Sequence, residues 1–537
     1  MLKYCCYLLI FLSCIEFARS EKILFIACSP AHSHQKPFQV IWKALSLRGH
    51  DVHVLTPNPL KDPTLVNLTE YDLSSFYKDR EKSAQKNKDL FNYMIKKPDF
   101  LTVFLKDSIM TKIWSNLFYR CLTHNETRRL IENNKHFDAV LVEWLFPTMA
   151  AFGAYYKAPI IGVSSLGAPS VALDTLGNPS HPLVSPDYNL PLTRDMTFRE
   201  RLMAVLYAVY VKLYYDMAVL PREDAQIKKY LSPDLPYLGD IEKNISVLLL
   251  NRNPVFHRIM PFNPTTIDLG GIKYSTVKQE IQPDLKKFIE SSKEGTILFS
   301  LGSYVKSDFL PNNTIEAVKK VFKSLPYNFV WKWGEEDMEG KPENVFISNW
   351  IPQVAVLEHP NVKLFITHGG LQSLEETIAA HKPIIGIPFQ SDGTSNVDTC
   401  VKYGMGKTLE LEDITYENLR EYILEIMGDP SYAKNAKNLD TLMKDQPQDG
   451  LEKAIWWTEY VIRHKGAKHL KSIAVDLPWW KTLLLDIISL ILFIITITLF
   501  GLYMICRMIV HLLGRIVRKI CFNSSKVKSK TKKSKKE

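Results

Sequence analysis

Trp350-Ile-Pro-Gln-Val-Ala-Val-Leu-Glu-His-Pro360, Phe365-Ile-Thr-His-Gly-Gly-Leu-Gln-Ser-Leu-Glu-Glu376 and His381-Lys-Pro-Ile-Ile-Gly-Ile-Pro-Phe-Gln-Ser-Asp-Gly-Thr-Ser-Asn396 follow one another closely in the chain. Lys363 to Thr367 reads as a buried strand and Leu371 to Ala380 as a helix, so Thr367-His368-Gly369-Gly370 forms a strand-to-helix turn. Glycine lets backbone approach a ligand closely, and the unpaired N–H groups of a helix start attract anions. His368 can donate a further hydrogen bond, and Ser373 adds a hydroxyl in the first turn. Glu376, eight residues after His368, lies on a similar helix face, where a carboxylate suits the two hydroxyls of a ribose. Trp350 offers a flat face to a base and Gln353 an amide to its edge. Each residue alone has an ordinary structural explanation. The combination at these spacings implies a pocket for a nucleoside diphosphate.

The strands around this turn are part of a longer pattern. Thr296 to Leu301, Asn328 to Lys332, Asn344 to Ile347, Lys363 to Thr367 and Pro383 to Ile387 are short apolar strands with helical stretches between them. The first half repeats the alternation: Lys22 to Cys28, a helix from Lys36 to Arg48 closed by Gly49, then Asp51 to Leu55, Ala139 to Val142 and Pro159 to Val163. Strands alternating with helices imply parallel sheets covered on both faces. The fold class expected is α/β, with two Rossmann-like doubly wound domains, and such sheets bind ligands beyond the C-terminal ends of their strands. At 537 residues the chain is also too long for one ordinary core. The boundary is expected between Asn251 and Gln282, a stretch dense in Pro, Gly and Asn.

The two ends carry signals of their own. Met1 to Ser20 has Lys3, an apolar run from Tyr7 to Leu12 and Ala18-Arg19-Ser20, the pattern of a secretory signal peptide. Ile487 to Cys506 is an uncharged apolar run of about the ~20 residues that cross a bilayer. Trp479, Trp480 and Lys481 precede it, and Arg507, Arg515, Arg518 and Lys519 follow, which places the tail in the cytosol. From Arg507 onward 11 Lys and Arg face one Glu, so the net charge of the whole chain, +10, resides in this tail. A basic binding face is therefore absent from the body, and nucleic acid is excluded as a partner. Lys533 and Lys535 stand five and three residues from the end, as in the dilysine retrieval signal of endoplasmic-reticulum membrane proteins.

Cys28, Cys121 and Cys400 are the cysteines left to the body. Three widely spaced residues imply neither a disulfide framework nor a metal site. Asn67, Asn125, Asn244 and Asn312 open glycosylation sequons.

The chain resembles the animal UDP-glycosyltransferases, particularly insect-like membrane-bound members. It matches their pattern at Trp350, Pro352, Gln353, His359, Pro360, Phe365, Thr367, His368, Gly370, Ser373, Glu376, Pro383, Pro388, Asp392 and Asn396. The resemblance extends over nearly the whole chain, including both ends. It implies two Rossmann-like domains facing across a cleft, the GT-B arrangement. Trp350 and Gln353 would hold uracil, His368 and Ser373 the diphosphate, with Ser303 as a further phosphate contact. Glu376 would hold ribose, and Gly370, Gln372 and Asp392 would complete the donor site. In the family a Gln follows that Asp and holds sugar hydroxyls. Gly393 stands here instead, which leaves the preferred sugar open.

The resemblance also implies the reaction. His32 and His34 follow the first strand, at the sheet edge facing the cleft. His34 lies 16 residues before His50 of Arg48-Gly49-His50, the family's spacing for its catalytic base. A neutral histidine can take the proton of an acceptor hydroxyl. Glu143, ending Phe137-Asp138-Ala-Val-Leu-Val-Glu143, takes the place of the carboxylate that orients the base. The expected reaction is inverting transfer of a hexose from a UDP-sugar to a small lipophilic acceptor, without metal or other cofactor. The expected organisation is a signal peptide over 1–20, an acceptor domain over 21–265 and a donor domain over 266–450. A helical return over 451–480, a transmembrane helix over 481–506 and a cytosolic tail over 507–537 complete it, with the body in the lumen of the endoplasmic reticulum. Phe91, Phe104, Trp114 and Phe118 are available to line the acceptor pocket. Self-association is left open. A ligand-binding member with weak transfer is the alternative, because of Gly393 and Glu143. A nicotinamide enzyme would need Gly-x-Gly-x-x-Gly after a strand, which is absent. A receptor or adhesion module is disfavoured by the two α/β units and the His-Gly-Gly turn.

Overall fold

The short apolar runs form two parallel sheets. β1 (Lys22–Ile26), β2 (Asp51–Thr56), β3 (Leu68–Asp72), β4 (Ala139–Glu143), β5 (Ile160–Ser164), β6 (Ile245–Leu250) and β7 (Thr266–Asp268) make the first, in the order 3-2-1-4-5-6-7. β8 (Thr296–Ser300), β9 (Asn328–Lys332), β10 (Val345–Ser348), β11 (Val362–Thr367), β12 (Ile384–Gly386) and β13 (Gly406–Thr408) make the second, in the order 10-9-8-11-12-13. Every residue of β4, β5, β6 and β8 is buried, as strands covered on both faces must be. This computed structural model describes residues 20–533 apart from 97, 146, 193–194, 273–279, 303–306, 308–309 and 390–391. The leader up to residue 19, Ser303 and the last four residues therefore lie outside the described residues.

Both sheets reverse their winding direction at one point, between β1 and β4 in the first and between β8 and β11 in the second. Crevices for ligands open there, at the C-terminal strand ends. His34 follows β1, Glu143 ends β4, and His368 follows β11. The sequence thus delivers its candidate residues to the two places where the topology makes room for them.

The helices that matter for the site are α1 (His32–Leu47), α2 (Thr102–Thr123), α3 (Phe198–Tyr214), α4 (Gln353–Glu358), α5 (Leu371–Ala379), α6 (Gly393–Lys402) and α7 (Gly450–Arg463). α3 starts on a capping box in which Thr197 and Glu200 satisfy each other's backbone N–H groups. α7 returns to the first sheet: Ala454, Ile455 and Val461 join Phe25, Phe38 and Trp42 in its core. Arg48 pairs with Glu452 and Glu459 of the same helix.

The structure differs from the sequence expectation in three respects. β7 extends the first sheet to Asp268, beyond residue 265, because its apolar residues still pair with β6. Cys28 and Cys121 form a disulfide across 93 residues, where none was expected. Spacing along the chain does not reveal that the end of α2 packs beside the end of β1. The chain also divides into two units, Met1–Val475 and Asp476–Glu537. In the second, one helix, α8 (Leu485–Lys533), continues without a break through the basic stretch expected to be tail. An 18-residue stretch within Leu485–Ser524 reaches a mean hydropathy of 2.5, and the segment is long enough to cross a bilayer.

Candidate active site

Gly370 caps the start of α5, and the ring of His368 lies against it. A Cβ on Gly370 would stand 2.6 Å from His368 Nε2, and a Cβ on Gly302 the same distance from His368 Cε1. Both glycines are thus needed to seat the ring. Gly369 has φ +84°, the left-handed conformation that glycine adopts without strain. Asn396 Nδ2 holds this turn by donating to Gly369 O (3.1 Å) and to Asp392 (2.7 Å). Burial, and then the charge of Lys332, lower the His368 pKa to about 4, so the ring is neutral near pH 7. Its Nδ1 is buried and has no partner among the described residues.

One turn further, Gln353 Nε2 donates to Ser373 Oγ (3.1 Å) and to Glu376 (2.6 Å), tying the start of α4 to α5. Trp350 is exposed, with Lys332 Nζ 5.2 Å from its ring centroid and the edge of His32 5.8 Å away. His32 itself stacks on Tyr77 at 4.1 Å. Trp350, Gln353, His368, Gly370, Ser373 and Glu376 thus lie around the start of one helix. Gln372 is turned elsewhere: its Nε2 donates 2.8 Å to the carbonyl of Ser165, across to the first sheet. Asp392 lies beside His368 and Gly370 on the wall of a cavity, and burial raises its pKa against the hydrogen bond from Asn396.

At the edge of the first sheet His34 is half-buried, and its Nδ1 lies 2.9 Å from Ser165 Oγ. Burial first, and then Arg80, lower its pKa to about 4. Glu143 does not reach it. Both carboxylate oxygens of Glu143 are used on Ser29, one on the backbone N–H (3.0 Å) and one on the hydroxyl (2.5 Å). Burial raises the Glu143 pKa to about 7 against these hydrogen bonds. The expected pair of His34 with Glu143 is therefore replaced by His34 with Ser165. Glu143 instead braces the loop that carries the histidine.

A cavity of about 520 Å³ connects the two halves. His34, Trp114, Phe118, Tyr188, His368 and Gly393 are among its lining residues. Phe104 packs against Tyr207 and Tyr210 instead, and the side chain of Phe91 is not described. A Cβ at Gly393 would meet His368 O at 3.0 Å, so a larger residue there requires that carbonyl to shift.

Three residues at the site carried no signal in the sequence reading. Ser165 lies just past β5, and its hydroxyl and carbonyl reach His34 and Gln372. Lys36 of α1 reaches across the cleft to Glu376, with Nζ 2.7 Å from Oε1. Tyr188 is half-buried on the cavity wall, and no hydrogen bond reaches its hydroxyl from the described residues. Asp187, Asp392 and Asp107 are its charged neighbours, and with burial they raise its pKa. The available signal was positional: Ser165 and Lys36 both stand near C-terminal strand ends.

Two Rossmann-like sheets with a cavity between them, a histidine on each side and an anion-attracting helix start define a GT-B glycosyltransferase. The crystal structure titled as the glycotransferase of kitacinnamycin has this fold: TM-score 0.54, 19% identity, covering 83% of this chain and 99% of that one. Residues 21–520 match the model of the UDP-glucuronosyl and UDP-glucosyl transferase family, and the chain belongs to that family. UDP-glycosyltransferase UGT5 of Dactylopius coccus is 32% identical over 91% of this chain and 92% of its own. UDP-glucuronosyltransferase 1-2 of Rattus norvegicus is 26% identical over 93% of each. The protein is an enzyme that transfers a sugar from a UDP-sugar.

Proposed function

We propose that the protein transfers a hexose, glucose first among the candidates, to a hydroxyl of a small lipophilic acceptor, with inversion and without a metal. The observation that supports this best is His34: a half-buried, neutral histidine lining the same cavity as His368. With its Nδ1 proton donated to Ser165 Oγ, its Nε2 is left to take the acceptor's proton. The freed oxygen attacks the anomeric carbon from the face opposite UDP, the bond to the diphosphate breaks, and the sugar inverts. Negative charge growing on UDP is met by the N–H groups at the start of α5 and by His368.

In this reading Trp350 stacks on uracil and Gln353 binds its edge. Ser373 and Ser303 bind phosphate, and Glu376 binds ribose after exchanging Lys36 for the ribose hydroxyls. Asp392 binds the sugar, and Tyr188 supplies a second hydrogen bond to it that Gly393 has no side chain to make. The first half, to about residue 268, is the acceptor domain and the second, to about residue 450, the donor domain. α8 spans the endoplasmic-reticulum membrane with the body in the lumen.

The test is UDP release by membranes carrying the enzyme, supplied with UDP-glucose, UDP-glucuronate, UDP-galactose or UDP-N-acetylglucosamine and a panel of phenolic and terpenoid acceptors. His34→Ala should lower acceptor-dependent release by about 10²–10⁴-fold, the usual contribution of a general base, and leave UDP affinity unchanged. Release that survives in His34→Ala removes the base assignment. Absence of release from all donors, in a folded protein that binds acceptor, selects the binding-only alternative.

A further inference from the structure

The wall of the cavity carries two carboxylates that the proposed reaction does not use. Glu223 and Glu242 are 2% and 3% exposed, and both line the cavity that His34 and His368 line. They come from separate segments: Glu223 from the helix Leu220–Tyr230, and Glu242 from the end of the helix Leu238–Glu242. A π-helical turn, Tyr215–Val219, joins α3 to the first of these helices. Single π turns inside α-helices are frequent at functional sites. Tyr215, the first residue of this turn, lines the cavity, and its Oη donates to Glu242 Oε1 (2.7 Å).

Buried carboxylates are ordinarily paired and fully hydrogen-bonded. These two are not. Glu223 Oε1 has Arg222 Nη2 at 3.4 Å, and the same nitrogen also donates to Ser115 Oγ. Glu223 Oε2 is buried without a hydrogen-bond partner among the described residues. Glu242 has the Tyr215 hydroxyl and, among the described residues, no cation beside it. Burial raises the pKa of both, that of Glu242 to about 8, with Asp216 and Glu223 adding to the rise. The pair thus lacks both donors and positive charge. A hydroxyl entering the cavity would answer Oε2 alone, whereas a protonated amine brings three N–H donors and a charge that two carboxylates share. The surroundings also suit a cation. Trp114, Tyr214 and Tyr215 line the same cavity, and aromatic faces attract ammonium groups.

We propose that Glu223 and Glu242 form a subsite for a protonated amine, which anchors a basic acceptor by a group other than its reacting hydroxyl. This rests on the cavity being the acceptor site, as read above. An amine held as ammonium has no free electron pair, so it is not the group that receives the sugar.

The test is titration calorimetry of the full chain in detergent with two series of ligands: 4-(ω-aminoalkyl)phenols with side chains of two to six carbons, and 4-alkylphenols of the same lengths. For at least one length the amine should bind about tenfold tighter than its alkyl counterpart, the effect of one hydrogen bond to a charged group. Glu223→Gln removes the charge and offers an N–H in place of Oε2. It should abolish the preference and leave alkylphenol affinity unchanged. Glu223→Asp keeps the charge on a side chain one methylene shorter, so the preferred amine should be one carbon longer; this shift decides the matter if Glu223→Gln does not fold. Absence of a preference at every length overturns the proposal, and so does a preference that survives Glu223→Gln. With UDP-glucose supplied, the sugar should appear on the phenol oxygen, and a sugar on nitrogen overturns the ammonium assignment. Calorimetry needs no turnover. An amine preference without any transfer therefore upholds the subsite and counts against the function proposed above, whereas transfer to alkylphenols without an amine preference does the reverse.

Discussion

Glu143 shows how burial, rather than a partner, sets the state of a residue. It has two donors from Ser29 and no cation beside it among the described residues, and its pKa is raised from 4.5 to about 7. The fold therefore favours the protonated form. That contribution is present in full below the ordinary carboxylate value and is lost as pH rises through about 7. Glu143→Gln keeps an acceptor for Ser29 N–H and cannot ionise. Its melting temperature relative to the unsubstituted protein should thus climb between pH 5 and pH 8, by an amount corresponding to about 2–3 kcal/mol. A difference that stays constant with pH would mean that Glu143 ionises freely and that the burial argument is wrong. Tyr188 raises a different question at the same scale, because its hydroxyl has no hydrogen-bond partner among the described residues and is proposed above to meet the sugar. Tyr188→Phe should weaken UDP-glucose binding by about 1 kcal/mol, the value of one neutral hydrogen bond, and leave UDP binding unchanged. Equal loss for both ligands in titration calorimetry would move Tyr188 away from the sugar.

The same residues explain what could be read without a structure. His34, His368, Gln353 and Glu376 were legible because their roles are set by short spacings around a strand end or a helix start. Ser165 was not, because its contact with His34 spans 131 residues, and the Lys36–Glu376 pair spans 340. Glu143 was found by its place at a strand end, but its partner was misread. The sequence places a side chain on an edge of the sheet, whereas the rotamer that turns it to Ser29 depends on the packing of the neighbouring loop. Cys28 and Cys121 were missed for the same reason. At the scale of elements, alternation of strands and helices was sufficient for both sheets, since each strand is a continuous apolar run. The turn before α5 is where element and chemistry meet. Gly370 has φ −62°, which alanine adopts without strain. Gly370→Ala therefore leaves the backbone alone and acts through its Cβ, which displaces the His368 ring from the helix start. UDP affinity should fall about tenfold or more, roughly the loss of one charge-assisted hydrogen bond, with the melting temperature little changed. Unchanged UDP affinity would show that His368 does not act at the phosphates.

At the scale of the whole molecule, the two ends and the sequons make one argument about which side of a membrane the body occupies. In the orientation proposed above, a leader before β1 and an apolar span with cations after it would put the body in the lumen, where Asn-x-Ser/Thr sites meet the glycosylation machinery. The fold then discriminates among the sites. Asn67 is bound inward: its Nδ2 donates to Ser46 O (2.8 Å) and His50 O (2.6 Å), and its Oδ1 accepts from Ser46 Oγ. A glycan on that nitrogen removes one of these donors and needs space that the α1–β2 connection fills. Asn125 and Asn312 are exposed at the first positions of their helices, Asn125–Asn133 and Asn312–Ser324, where a glycan meets only solvent. Glycosidase treatment should therefore increase the gel mobility of the membrane-extracted protein. Asn125→Gln and Asn312→Gln should each remove one step of that shift, and Asn67→Gln none. A glycan found on Asn67 would mean that the amide does not hold α1 to β2 as the structure has it. The complete absence of a shift, with all four sequons intact, would put the body on the cytosolic face and reverse the orientation of α8.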